Sequence, residues 1–432
     1  MDQRRVAEDL IAFIDASPSP YHCVAEVARR LDGAGFRALS EAEAWSLEAG
    51  ARHYVVRGDG SIVAFRMGRR APAESGFRLV GAHTDSPNLR LKSRPGLSRS
   101  GYLCLDVEVY GGAILATWVD RDLSVAGRVF LDGPDGLQCR LVDLKRPLCR
   151  IPTVAIHLDR TVNEEGLKLD RHKHLAPALG LLTESDGDPN EAVRGLLADL
   201  GGFAPDAIAG LDLCLYDTAG GTFAGLDDAF LLSARLDNQA MCHAALCGLL
   251  EADESDATSV IALFDHEEVG SQSRQGAGSP LLRDLLSRLL AATGDPEGLP
   301  RALAKSYVVS ADMAHAVHPS RADLHDGNHL PRLNGGPVVK TNANQRYATD
   351  AETGALFRRL CREADVPVQE YVHRADLPCG STIGPITAAG LGVRVVDVGS
   401  PMLSMHSARE MGGSQDPAMM ARVLSLFLSG IE

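Results

Sequence analysis

The chain predicts an α/β fold interrupted by a β-rich insertion, on three observations. A short, unbroken apolar run at 260–264 has the pattern of a strand buried on both faces of a sheet, and 77–82, 308–310 and 393–398 also read as strands. Amphipathic helical segments lie between them. From about Lys92 the texture changes to short β-type segments separated by Gly, Pro and Asp turns, and it reverts near Phe230. The α/β part is therefore split into 1–92 and 229–432, around an inserted β-rich unit at 93–228.

Taken in order, Val6, Leu10, Phe13 and Ile14 recur at helical spacing until Ser17-Pro18-Ser19-Pro20. A second helix follows with Val24, Val27, Ala28 and Leu31 and stops near Gly33. Val55-Val56, Gly58-Asp59-Gly60 and 62–65 read as a hairpin. The strand Phe77 to Ala82 runs straight into His83-Thr84-Asp85-Ser86-Pro87. In the insertion, 102–110, 113–119, 123–131 and 151–158 read as strands, with a helix near 191–200. Leu236-Asp237-Asn238 opens a helix that carries Ala240, Met241, Ala244, Ala245 and Leu249. Ser279-Pro280 supplies an N-cap and first-turn proline for a helix over Leu281–Ala292. Asp416-Pro417 opens the last helix, with Met420, Val423, Leu424 and Phe427 on its apolar face.

Composition excludes several functions. Of 432 residues, 45% are hydrophobic, and the net charge of −14 argues against nucleic acid or an anionic membrane as the main partner, since both need a basic patch. Nine scattered cysteines without a C-x-x-C pair fit a reduced, cytoplasmic setting. Neither a signal-peptide core nor an apolar run of bilayer length is read in the sequence. P-loop and GxGxxG signatures are absent, and Gly380-Ser381-Thr382-Ile383-Gly384 lacks the nucleophile elbow.

The chemistry centres on Asp265-His266-Glu267-Glu268, delivered by the apolar run 260–264. Such charge clusters are commonly solvated. Two adjacent carboxylates brought into one cavity instead require a cation or a shared proton. In open α/β sheets, ligand groups gather beyond the carboxyl ends of strands. His83, Glu267, Glu268 and Asp312 all lie just past predicted strand ends. With Asp85, Asp237 and His406 they form a set of two imidazoles and several carboxylates without a thiolate, suited to Zn(II), Co(II) or Mn(II). A metal pair about 3.5–4 Å apart needs a bridging carboxylate and terminal ligands. It also needs one unligated carboxylate as base.

Seven segments in order resemble the M18 metallo-aminopeptidases, relatives of aspartyl aminopeptidase. They are Gly81–Asn88, Leu236–Asn238, Asp265–Ser271, Ser310–Ala316, Lys340–Tyr347, Pro378–Pro385 and Met405–Glu410. The resemblance spans nearly the whole chain. It implies a phosphorylase/hydrolase-like zinc-peptidase core, with a mixed sheet and helices on both faces, and an inserted dimerisation or lid domain. Two divalent ions, zinc or alternatively cobalt or manganese, would be bridged by Asp237. His83 and Asp312 would hold one ion, and Glu268 and His406 the other. The catalytic pair would be Glu267, as general base and later acid, and Asp85, which would hydrogen-bond His83 and fix its tautomer. The reaction would be release of N-terminal, acidic residues from peptides.

The resemblance also implies that His157 reaches a neighbouring subunit's active site as a substrate contact, with metal ligation the lesser option. Lys340 would pair with an acidic side chain of the substrate, beside Arg346, and Gly380 would let backbone approach the substrate. Dimers assembling into a tetrahedral dodecamer would follow. His315 and His318 are read as supporting or core residues. A related dinuclear deacylase or carboxypeptidase is the enzymatic alternative, and a non-catalytic metal-binding scaffold is the alternative of another class.

Overall fold

The computed structural model describes residues 2–182, 187–291 and 295–430. They divide into two compact units. One runs to Asp85 and takes in Gly221–Met405 and the chain from Glu410 on, and the other comprises Ser86–Gly220 and His406–Arg409.

The first unit opens with helix Gln3–Asp15, capped by the Asp2 side chain on the Arg5 amide, which buries Ala7, Leu10, Phe13 and Ile14. Helix Pro20–Gly33 starts on Ser19 with proline in its first turn. Strands Arg52–Arg57 and Ser61–Arg66 form the expected hairpin. At the centre of a nine-stranded mixed sheet, Phe77–His83 pairs in parallel with Thr258–Phe264 on one side and Tyr307–Ala311 on the other. Arg394–Gly399 continues the parallel set beyond Tyr307–Ala311. Both faces are covered. Ile261 and Leu263 pack with Leu246 and Phe427, whereas Val260, Ala262 and Phe264 pack with Leu285 and Leu286. Alternate residues of one strand thus enter two cores, which is why the run is apolar without a break. A five-stranded sheet built on Phe230–Ser233, Pro401–Leu403 and Glu410–Gly413 completes this unit. Helix Leu281–Leu290 begins where expected, and the predicted end at Ala292 lies outside the described residues.

The second unit is a six-stranded antiparallel sheet whose core includes Leu89, Leu105, Val125, Leu213 and Leu215. Helix Pro189–Gly201 adds Val193 and Leu197 to it. Two predicted strands are corrected. Within 113–119 the chain turns locally, with the Thr117 amide and hydroxyl both donating to the Ile114 carbonyl while Trp118 is buried. Segment 151–158 pairs with no strand: Pro152 lacks an amide hydrogen, and residues 152–158 are exposed. His157 therefore sits on an exposed loop and not on a strand.

Candidate metal centre

Sheet register brings the centre together. Phe264 lies opposite His83, and Ser310 lies opposite Gly81. The residues that follow these strands consequently leave the sheet at one edge. His83 is the last residue of its strand, and Glu267 and Glu268 form a tight turn flanked by His266 and Gly270, both at positive φ. Asp312 follows its strand directly, and its amide donates to the Val398 carbonyl at 2.9 Å. Asp237 lies in the first turn of helix Leu236–Glu251, where the backbone is non-helical.

Around Nε2 of the buried His83 stand Asp312 Oδ1 at 3.5 Å, Asp237 Oδ1 at 3.6 Å and Glu267 Oε2 at 3.9 Å. Two donors each about 2.1 Å from a tetrahedral ion are separated by roughly 3.4 Å, so these spacings suit shared ligation better than direct hydrogen bonding. His83 closes a three-residue donor set with Asp237 and Asp312, and a second with Glu267 and Glu268, each within 4.8 Å. One imidazole and four carboxylates without a thiolate are hard-to-borderline donors, and the residues fit divalent zinc.

Electrostatics support this fit. Burial works against a charged His83, but Glu267, Asp312 and Asp85 outweigh it and hold the imidazole well above its ordinary range. Burial pushes Glu267 up to about 8; Asp312, Asp85 and Asp237 add to the rise, and His83 opposes it. Asp312 is held well below the carboxylate range despite its burial, chiefly by Lys340 and His83.

Asp85 touches both His83 and the Glu-Glu turn. Nδ1 of His83 faces the Asp85 backbone carbonyl at 3.0 Å, with the carboxylate at 3.5 Å. The carboxylate also accepts the amides of Glu267 and Glu268, each at 3.1 Å. Asp85 is thus a positioning residue that links the orientation of His83 to that of the Glu-Glu turn.

Lys340 lies against Asp312 and Met313. Its side chain is 2% exposed, and Nζ donates to the carbonyls of Asp312 at 2.8 Å and Met313 at 3.2 Å, with Asp312 Oδ2 at 3.5 Å. Exposed Arg346 donates to the Cys379 carbonyl, and a side chain added at exposed Gly380 would meet nothing within 4 Å. His315 packs edge-on against Tyr371 and is pushed down to about 4, mainly by burial and then by Lys340. His318 is exposed. His157 and His406 belong to the second unit, where Nδ1 of His406 lies 3.2 Å from the Gly112 carbonyl.

Three supporting residues went without a role in the sequence reading. Buried Asn238 donates to the Ala311 carbonyl and accepts the Met313 amide, clasping both sides of Asp312. Glu410 accepts the Asp237 amide at 3.1 Å. Cys242 Sγ donates to the His83 carbonyl at 2.9 Å. Asn238 and Glu410 stand inside the resembling segments, which was the available signal; Cys242 gave none.

The family model for the Aminopeptidase I zinc metalloprotease (M18) matches residues 13–428. This chain belongs to the M18 aminopeptidase family. It is accordingly a zinc metallo-exopeptidase, a hydrolase. The probable M18 family aminopeptidase 2 of Pseudomonas aeruginosa (strain UCBPP-PA14) is 50% identical over 428 residues, 98% of each chain. That of Stutzerimonas stutzeri (strain A1501) is 49% identical over 429 residues, again 98% of each. Among solved structures, a chain of the Ape4 and Nbr1 complex superposes with a TM-score of 0.96 at 39% identity, covering 99% of this chain and 86% of that one. The mApe1 dodecamer of S. cerevisiae gives 0.86 at 30%, covering 99% and 97%. Among the described residues no helix of this M18 aminopeptidase is long and apolar enough to cross a membrane.

Proposed function

We propose that this aminopeptidase uses two divalent ions, with zinc the resident metal, to release N-terminal Asp or Glu from peptides. The convergence of Asp237, Asp312 and Glu267 on Nε2 of His83 carries the reading. His83 and Asp312 would hold one ion and Glu268 and His406 the other, with Asp237 between them; His406 rests on the sequence resemblance. Bound there, the ions would polarise the scissile carbonyl, hold the free α-amine and acidify the attacking water. Glu267 takes the proton of that water on its carboxylate and returns it to the leaving amine. Asp85 keeps the Glu267 amide, and hence the base, in register with His83.

The core is read as phosphorylase/hydrolase-like, with 93–228 as an inserted dimerisation or lid domain. Exposed Val154, Ile156 and Leu158 flank His157, a composition suited to self-association. His157 is assigned a substrate contact across that association, within dimers that build a tetrahedral dodecamer. Reduced cysteines throughout fit the cytoplasm.

Acidic selectivity is assigned to Lys340. Two of its three N–H donors are engaged by carbonyls, and its longer contact, to Asp312 Oδ2 at 3.5 Å, is one that a substrate carboxylate could replace. A panel of peptides differing at the N-terminal residue tests this. Free-amine Asp and Glu substrates should be cleaved fastest, N-acetylated ones should be inert, and a C-terminal amide should not matter. Lys340→Ala should reduce kcat/KM for Asp and Glu far more than for Ala or Leu. Equal losses across the panel would confine Lys340 to Asp312, and cleavage requiring a free C-terminal carboxylate would favour a carboxypeptidase.

A further inference from the structure

Helix Leu236–Glu251 carries a second group of reactive side chains, on residues that take no part in the metal centre. His243 and Cys247 lie four residues apart and share one face of it. His243 is fully buried, and Nε2 sits 2.8 Å from Oδ2 of Asp9 on helix Gln3–Asp15 and 3.5 Å from Sγ of half-buried Cys247. The Phe13 ring walls the imidazole at 5.6 Å. On helix Pro20–Gly33, Arg30 places Nη1 2.6 Å from the same Asp9 oxygen, and Glu26 holds Arg30 from its other side. Carboxylate and thiol both face Nε2, with Nδ1 3.9 Å from Sγ, so an imidazolium held by Asp9 stands directly against the sulfur, the kind of neighbour that makes a thiol nucleophilic.

Two ligand chemistries suit such a cluster. Asp9, His243 and Cys247 offer donor atoms within 4.8 Å of one another, as a soft cation would need. The Arg30 guanidinium decides against that, because a divalent ion on Asp9 Oδ2 would stand beside a fixed positive charge. The His243 imidazolium, 3.5 Å from Sγ, favours an anion there instead. We propose that Cys247 is a modification site, a nucleophilic thiol beside the His243 imidazolium that reacts with soft electrophiles such as peroxides. With hydrogen peroxide the sulfur attacks one oxygen, an S–O bond forms and the O–O bond breaks. The departing hydroxide takes the proton lost from the sulfur, leaving a sulfenic acid and water beside an unchanged imidazolium. In support, His243 is pushed up to about 9: burial opposes its charge, but Cys247 and Asp9 outweigh burial.

The chain contains its own control. Cys139, on strand Gly136–Asp143, is exposed, whereas Cys247 is half-buried, so accessibility alone would make Cys139 the faster to react. The zinc-loaded enzyme is treated with iodoacetamide at pH 7, and labelling of each cysteine is followed by peptide mass spectrometry. Cys247 should label at least tenfold faster than Cys139. His243→Gln should slow Cys247 at least tenfold without changing Cys139, and Asp9→Asn should slow it several-fold while peptide hydrolysis stays within twofold. Cys247 labelling no faster than Cys139 in the unmodified protein would overturn the proposal, whether or not the variants fold. Protection of Cys247 by one further equivalent of zinc would overturn it too, by assigning the three side chains to a cation.

Discussion

Glu267 and Glu268 are neighbours in sequence with separate proposed tasks, and the division depends on a third carboxylate. Asp85 accepts both of their backbone amides, so the turn is anchored by its main chain and the two side chains remain available to the centre. Glu267→Gln keeps the shape and removes the base. It should retain zinc and lose roughly 10²–10⁴-fold in kcat, the usual worth of general-base catalysis; metal analysis beside steady-state kinetics checks both halves, and unchanged turnover would point to another base. His243 offers a residue-level test of stability. Its folded value of about 9 lies above the ordinary histidine value of 6.5. The contribution is therefore complete below about pH 6.5 and is lost as pH rises through about 9. After a discount for the half-exposed Asp9 partner, it is on the order of 2 kcal/mol. Thermal melts from pH 6 to 10 should show the wild type losing that advantage over His243→Gln.

Among the elements, strand ends were the most legible part of the chain. Apolar runs identified the central strands, and the polar residues after them gave His83, Glu267, Glu268 and Asp312 without any knowledge of pairing. The segments 113–119 and 151–158 misled because strand preference expresses itself only against a partner, and neither segment has one. Lys340 was recognised as important, yet its contact with the Asp312 and Met313 carbonyls depends on how strand Val338–Thr341 lies beside Arg394–Gly399. That crossing cannot be read from spacing. The double grip of Asp85 escaped for a similar reason, since the amides that donate to it lie 182 and 183 residues away. Gly399 is the test at this scale. It ends its strand where a Cβ would lie 1.9 Å from the Asp312 carbonyl oxygen, the acceptor of Lys340. Gly399→Ala must displace the backbone of the proposed ligand. Activity should drop at least tenfold and zinc affinity should weaken, as read by a chelator titration, while circular dichroism stays native. Wild-type zinc affinity would show that the Asp312 turn tolerates the shift.

For the whole molecule, each compact unit has its own hydrophobic core, and the chain passes between them more than once. The first unit ends at Asp85, resumes at Gly221, and yields only His406–Arg409 to the second before closing with its last helix. The sequence texture changes at about residues 92 and 229, whereas the compact units part after Asp85 and Gly220, and the assignment of four residues near the C-terminus to the second unit is a product of tertiary contacts. The account as a whole depends on two ions sharing Asp237. Chelator-stripped enzyme should be titrated with zinc, with bound metal and hydrolysis of an Asp-terminated peptide followed together for wild type and Asp237→Asn. The account predicts two zinc ions per wild-type chain, full activity only when both are bound, and weak or absent binding of both in the variant. Full activity at one zinc per chain, or two tightly held ions in Asp237→Asn, would contradict it.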